Sequence, residues 1–169
     1  RMTTKSTREW AESLTALLQA RVGEFRARTV ELVGQCDGQA IGLEVERHAQ
    51  EITNELGRAL MREALRVADT VKPEVTINGE LWGNRRLQRG NYETVFGEVP
   101  LDRSSYQRSG RGRVMVPVDL RMGIVERRYT PLVARIATRT VALMPPSDGE
   151  GLLTEIGVCL LSKSTLHRV

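Results

Sequence analysis

Cysteine, histidine, lysine and aromatic residues are all scarce in this 169-residue chain: two Cys, two His, three Lys, and seven Phe, Trp and Tyr together. Cys36 and Cys159 stand far apart with no His or Cys at ligand spacing beside them, which argues against a disulfide framework and against a structural zinc site. Two buried free thiols are the expectation. No apolar run reaches the ~18 to 20 residues that a membrane-spanning helix needs, and RMTTKSTREW at the N-terminus lacks the apolar stretch of a signal peptide. A cytoplasmic protein without a membrane partner is expected. Catalytic signatures are missing too: there is no GxxxxGKS loop, no HExxH and no dinucleotide fingerprint. Both histidines, His48 and His167, lie in helical patterns away from any Ser and Asp arrangement, so no catalytic residue, metal ligand or cofactor is assigned to this chain.

Apolar residues make up 40% of the sequence and charged residues 27%, enough for a folded core and unlike a disordered chain. The net charge of +4 is unevenly spread. Residues 1–80 carry 11 basic and 13 acidic side chains, whereas residues 81–169 carry 14 and 8. Between Arg85 and Arg139 all twelve positive charges are Arg, against five acids. The planar guanidinium fork suits phosphate, so this half points toward nucleic acid. A coding bias against Lys is the competing explanation.

The pattern is that of an α+β protein in three segments. In residues 1–72, Trp10, Leu14, Leu17, Leu18, Val22, Phe25, Leu32 and Val33 recur at helical spacing, and GQCDG at 34–38 marks a turn. Ile41, Val45, Ile52, Leu56, Ala59, Leu60 and Val67 then resume the period. A long helical hairpin follows, whose apolar stripe packs on the rest of the chain or mediates self-association through residues 10–68. Pro73 ends the helical part. In residues 73–126, VTINGELW alternates as one strand, residues 90–106 read as a hairpin turning at Gly97 and Glu98, and VMVPVDL adds a last short strand, together a small antiparallel meander. Pro100 places its strand at an edge or at its start. Residues 103–113, RSSYQRSGRGR, show no core pattern and read as an exposed, mobile, Arg-rich loop.

Helical periodicity returns in residues 127–169. Thr130 and Pro131 form a helix start, with Leu132, Val133, Ile136, Val141 and Leu143 as its apolar face. Ser147 is placed as the cap of a second helix closed by Gly157, and Ser162 as the cap of a third, KSTLHRV. This order is that of a helix-turn-helix, whose last helix presents its first side chains to a DNA major groove. Three short helices closing a small domain give the same pattern. On the helix-turn-helix reading Lys163, Ser164, His167 and Arg168 face the groove, and Arg103, Arg108, Arg111 and Arg113 of the Arg-rich loop contact phosphate.

Several blocks in order, YETVFGEVPLDRSSYQ (92–107), PVDLRMGI (117–124), RRYTPLVARIATRTVALMPPSDGEGLL (127–153) and GVCLLSKSTLHRV (157–169), resemble the N-terminal half of Kra-type insertion-sequence transposases, bacterial enzymes of the Mutator-like group. The resemblance implies a DNA-binding region ahead of a ribonuclease H-type domain that holds divalent metal on three carboxylates. None of those carboxylates maps onto this sequence, so the chain alone is expected to bind the double-stranded terminal repeats of an element without cleaving them. Relatives often carry a Cys-x-x-Cys pair after the position of Tyr106, where this chain has QRSGRGRVMVP. A sequence that stops inside a helical pattern and opens with Arg1 before Met2 reads as a piece of a longer protein. The alternative is a stand-alone or decayed protein-interaction module whose helices dimerise and whose basic half only solubilises.

Overall fold

The computed structural model describes residues 4–35, 40–108, 112–157 and 161–166. Its elements run α1 (Thr4–Gln35), α2 (Gly42–Ala68), β1 (Val75–Ile77), β2 (Glu80–Thr94), β3 (Gly97–Gln107), β4 (Val114–Met115), α3 (Pro117–Arg121), α4 (Pro131–Leu143), α5 (Pro146–Glu155) and α6 (Lys163–Leu166). The strands form one antiparallel sheet in the order β1-β2-β3-β4. The architecture is therefore α+β: two long helices, a four-stranded meander and a group of C-terminal helices. The chain divides into two compact units, Arg1–Ala59 and Leu60–Val169.

In the first unit α1 continues through Gly34 and Gln35, and the rest of the turn expected at 34–38, with Cys36, lies outside the described residues, as does Cys159. Arg21 reaches the Glu55 carboxylate with two nitrogens at 2.8 Å each, and the Phe25 and His48 rings stack with centroids 5.8 Å apart. These contacts run in antiparallel order. Leu32 is buried, and Trp10, Leu14, Leu17 and Phe25 are half-buried. Leu18, Val22 and Val33, expected on the same buried face, are instead 44%, 56% and 59% exposed. At 100° per residue they fall beside the buried stripe, and a single neighbouring helix covers only one stripe of a wide apolar face.

The second unit is built around two cores. Leu65, Tyr92, Val99, Val116 and Val118 form one, between the last turns of α2, the sheet and α3. Val133, Ala137, Leu153, Leu161 and Leu166 form the other, among the C-terminal helices. Four local expectations are corrected here. VTINGELW is not one strand: Asn78 (φ 52°) and Gly79 (φ 78°) turn the chain between β1 and β2, as an Asn-Gly pair favours. The β2–β3 turn lies at Val95 and Phe96, two residues earlier than Gly97 and Glu98, because Thr94 pairs with Gly97 and its hydroxyl accepts from the Phe96 amide at 3.1 Å. VMVPVDL gives only a two-residue strand before Pro117 opens α3. Ser147 lies inside α5, which begins at Pro146, so it does not cap that helix.

Other expectations hold in part. Pro100 sits on the stretch of β3 that has no second partner strand among the described residues, where a missing amide donor is tolerated. Thr130 precedes Pro131 as the first residue outside α4, although its hydroxyl donates to the Glu93 carbonyl at 3.1 Å instead of capping the helix. Ser162 caps α6, accepting from the Thr165 amide at 3.3 Å. Of the α4 face, Val133 is buried, whereas Leu132 and Leu143 are 44% and 80% exposed.

Candidate nucleic-acid interface

The first five residues of the Arg-rich stretch, 103–107, are strand and not loop, and 109–111 lie outside the described residues. β3 runs to Gln107, and Arg103, Ser104, Ser105 and Tyr106 are all buried. Polar residues can fill a core when each meets a partner. The Tyr106 hydroxyl donates to the Lys72 carbonyl at 2.6 Å, and the Ser104 amide donates to the Asp69 carboxylate at 2.9 Å. Arg103 Nη1 donates to Asp119 Oδ1 and to the Tyr92 hydroxyl, each at 2.7 Å, while Tyr92 donates to the same Asp119 oxygen at 2.7 Å. Burial holds the Asp119 carboxyl above the usual carboxylate range, against the pull of Tyr92 and Arg103, and pushes the Tyr92 phenol up as well. Gly90 makes room for this network: a Cβ there would lie 2.7 Å from Arg103 Nε. Arg103, read from sequence as a phosphate contact, is therefore turned inward and held by an internal carboxylate.

The other expected contacts are scattered. Arg108 is exposed and pairs with Glu80 at 2.9 Å. Arg113 is exposed beside β4. Lys163 and Ser164 are exposed on α6, which packs with α4 and α5. Arg111, His167 and Arg168 lie outside the described residues. The structure thus brings Arg108 and Arg113 to the two ends of the β3–β4 connection, and places Lys163 and Ser164 on a different element.

Around β4 the structure adds residues that sequence reading passed over. A recess of about 260 Å³ is lined by Asn84, Arg86, Gln88, Ser105 and Gln107, with Leu87 and Val114 as its apolar walls. A second, of about 230 Å³, shares Val114 and is lined by Arg113, Asp119, Glu126 and Arg127 among others. Glu126 and Arg127 both hold positive φ, 50° and 60°, in a tight turn closed by the paired backbones of Val125 and Tyr129. Positive φ at two successive non-glycine residues costs energy and presents both charged side chains outward. Arg86, Arg89, Arg113 and Arg127 are exposed and make no ion pair among the described residues, whereas Arg128 is tied to Glu93 at 2.6 Å and Arg121 donates to the Ala68 carbonyl at 2.7 Å. The signal for the first recess was present as Asn84, Arg86 and Gln88 at every second position of one strand. It was hidden by the β-bulge between Gly83 and Arg86, which breaks simple alternation.

Uncommitted guanidinium groups beside an amide-lined recess suit polyanion contact and hydrogen bonding to a planar polar edge. Among the described residues no group of three His, Cys, Asp or Glu side chains is placed to hold a metal ion, and no helix is long and apolar enough to cross a membrane. No protein-family model, no curated protein and no solved structure matches this chain.

Proposed function

We propose that residues 60–169 bind double-stranded DNA, as the non-catalytic DNA-binding region of a bacterial, cytoplasmic insertion-sequence transposase that contacts the element's terminal repeats. One observation carries the DNA-binding reading: Arg86, Arg89 and Arg113 are exposed with no ion pair among the described residues, Arg127 is exposed and touches Asp119 only through its longer-range charge, and three of these four line the two adjoining recesses around β4. Guanidinium groups left unpaired in the free protein have no internal bond to break when they meet phosphate. The ordered blocks between residues 92 and 169 support the transposase assignment by resemblance. Fluorescence anisotropy against labelled duplex DNA over a range of salt concentrations tests the proposal. Affinity that falls steeply with salt is expected. Absence of salt-dependent binding overturns it.

A second reading has its own observation. Leu18, Val22, Val30 and Val33 leave apolar surface on α1 exposed, 44%, 56%, 65% and 59% respectively, which favours self-association through the N-terminal helices. Sedimentation across a concentration series checks it, with a concentration-dependent shift to a larger species as the expected result.

A further inference from the structure

Backbone direction along β2 is fixed by its pairing with β3. The register runs unbroken from Arg86 opposite Ser105 to Thr94 opposite Gly97, and in an antiparallel ladder successive residues alternate between bonding to the partner strand and facing away from it. Glu93 gives the phase. Its amide donates to the Arg128 carbonyl at 2.8 Å and its carbonyl accepts from the Thr130 amide at 3.0 Å, so it faces away from β3. Counting back in twos, Asn91, Arg89 and Leu87 also direct their amides and carbonyls to the outer edge of β2. The far strand agrees: the Ser104 amide, opposite Leu87, points away from β2 and donates to Asp69.

That outer edge is covered at both ends and open between. β1 pairs with Glu80–Trp82, and residues 128–130 cover Glu93. Among the described residues nothing bonds to the outward backbone groups of Leu87, Arg89 and Asn91. The opposite edge of the sheet is guarded, since Pro100 has no amide to offer, Asp69 takes the Ser104 amide, and β4 pairs with Tyr106 and Gln107. From Gly83 to Tyr92 the strand carries Arg85, Arg86 and Arg89 and no acid, so two copies joined edge to edge would repel. A strand bearing carboxylates is attracted instead.

We propose that this edge takes an extended acidic segment of a partner protein as an added strand, antiparallel to β2 as β1 is. An acid of that segment sits beside Arg89, and an aliphatic residue two positions on sits beside Leu87, which is 66% exposed. The next residue, on the other face, is an acid beside Arg86. A peptide strand answers both halves of the edge, its carbonyls meeting the amides and its amides the carbonyls. Phosphate answers only the amides and is repelled by the carbonyls between them, so the backbone here favours protein over DNA. Arg86 and Arg89 are also among the groups assigned to DNA above, and strand and duplex would compete for them.

The test uses the intact chain and a labelled peptide, Thr-Thr-Glu-Thr-Val-Glu-Thr, followed by anisotropy titration and by amide hydrogen exchange in NMR. In the free protein the amides of Leu87, Arg89 and Asn91 should exchange fast and those of Gln88 and Gly90, bonded within the ladder, slowly. Saturating peptide should slow the first three by about tenfold or more. N-methylation of the peptide at its first glutamate and its valine, whose amides face β2, should weaken binding about tenfold or more, whereas methylation at the threonine between them should not. Arg89→Glu, at an exposed position without an ion pair, should lose this peptide and bind the version with lysine in place of the first glutamate. No peptide binding, binding without protection of the three amides, or equal loss from both methylation patterns overturns the proposal. Each of these leaves DNA binding to be judged by its own salt titration. Duplex DNA that protects the three amides where the peptide does not would make DNA the occupant and overturn the proposal as well.

Discussion

Arg103 shows how a single residue's role turns on a partner far away in sequence. Its guanidinium lies over the Tyr92 ring, 5.1 Å from the centroid, and pairs with Asp119, with the two side chains only 7% and 11% exposed. Removing one member of a buried pair leaves the other charge uncompensated, so Arg103→Met should destabilise the second unit by about 3 to 5 kcal/mol, measured by urea unfolding. Pairing it with Asp119→Leu should recover most of the loss, because two apolar groups no longer leave a stranded charge. A phosphate-contacting Arg behaves oppositely, with stability kept and DNA affinity lost. Gln107 supplies the contrast: replacing its half-buried side chain, whose buried Oε1 has no partner, by Leu should leave stability unchanged or raise it by about 1 kcal/mol, since an unmade bond is removed. Neither role was legible from sequence. Arg103 sits among Ser, Gln and Gly that look like loop, and nothing local reveals that Asp119, sixteen positions on, faces it.

The long, strongly periodic elements were legible at the level of the element, and short ones were not. Sequence periodicity gave α1, α2 and α4 because each repeats its apolar period over three or more turns. It placed Thr130 and Ser162 at helix starts because the local chemistry there is strong. It missed the Asn78–Gly79 turn because Val75, Ile77 and Leu81 keep an alternating appearance across it. The pairing of helices in the C-terminal group depends on contacts that no periodicity encodes. Gly149 of α5 is buried against α4, where a Cβ would run into the Thr140 side chain and lie 3.3 Å from Leu166. Two effects oppose each other in Gly149→Ala. Alanine gains about 1 kcal/mol of helix propensity over glycine, while overpacking a close contact costs about 1 to 3 kcal/mol. The clash should win, because Thr140 is itself buried and has no room to retreat. Net destabilisation is expected in thermal melts, and Thr140→Ser, which removes the offending methyl, should restore stability in the double variant. On α1 the same scale governs self-association: Leu18→Lys with Val22→Lys should abolish any concentration-dependent species in sedimentation and leave helicity unchanged, since both positions are exposed.

For the whole molecule, charge separates the two units more sharply than the net +4 implies. Residues 1–59 carry eight basic and nine acidic side chains, and residues 60–169 carry 17 and 12. This asymmetry could be read from the sequence; which of the 17 are uncommitted could not, because pairing is decided by folding. Fields of this kind raise association rates and nonspecific affinity, and salt screens them. If four guanidinium groups neutralise one phosphate each, the logarithm of the association constant should fall with the logarithm of salt concentration at a slope of about −3 to −4. Replacing Arg86, Arg89, Arg113 or Arg127 singly by Gln should weaken binding to every duplex alike and make the slope shallower by about one. Arg128→Gln should change it less, because that guanidinium already spends its charge on Glu93 at 2.6 Å. Arg103→Lys should leave the slope unaltered, since a buried group meets no counterion in either state. A slope that responds equally to Arg128 and Arg113 would show that total charge governs the binding, and the surface around β4 would lose its special standing.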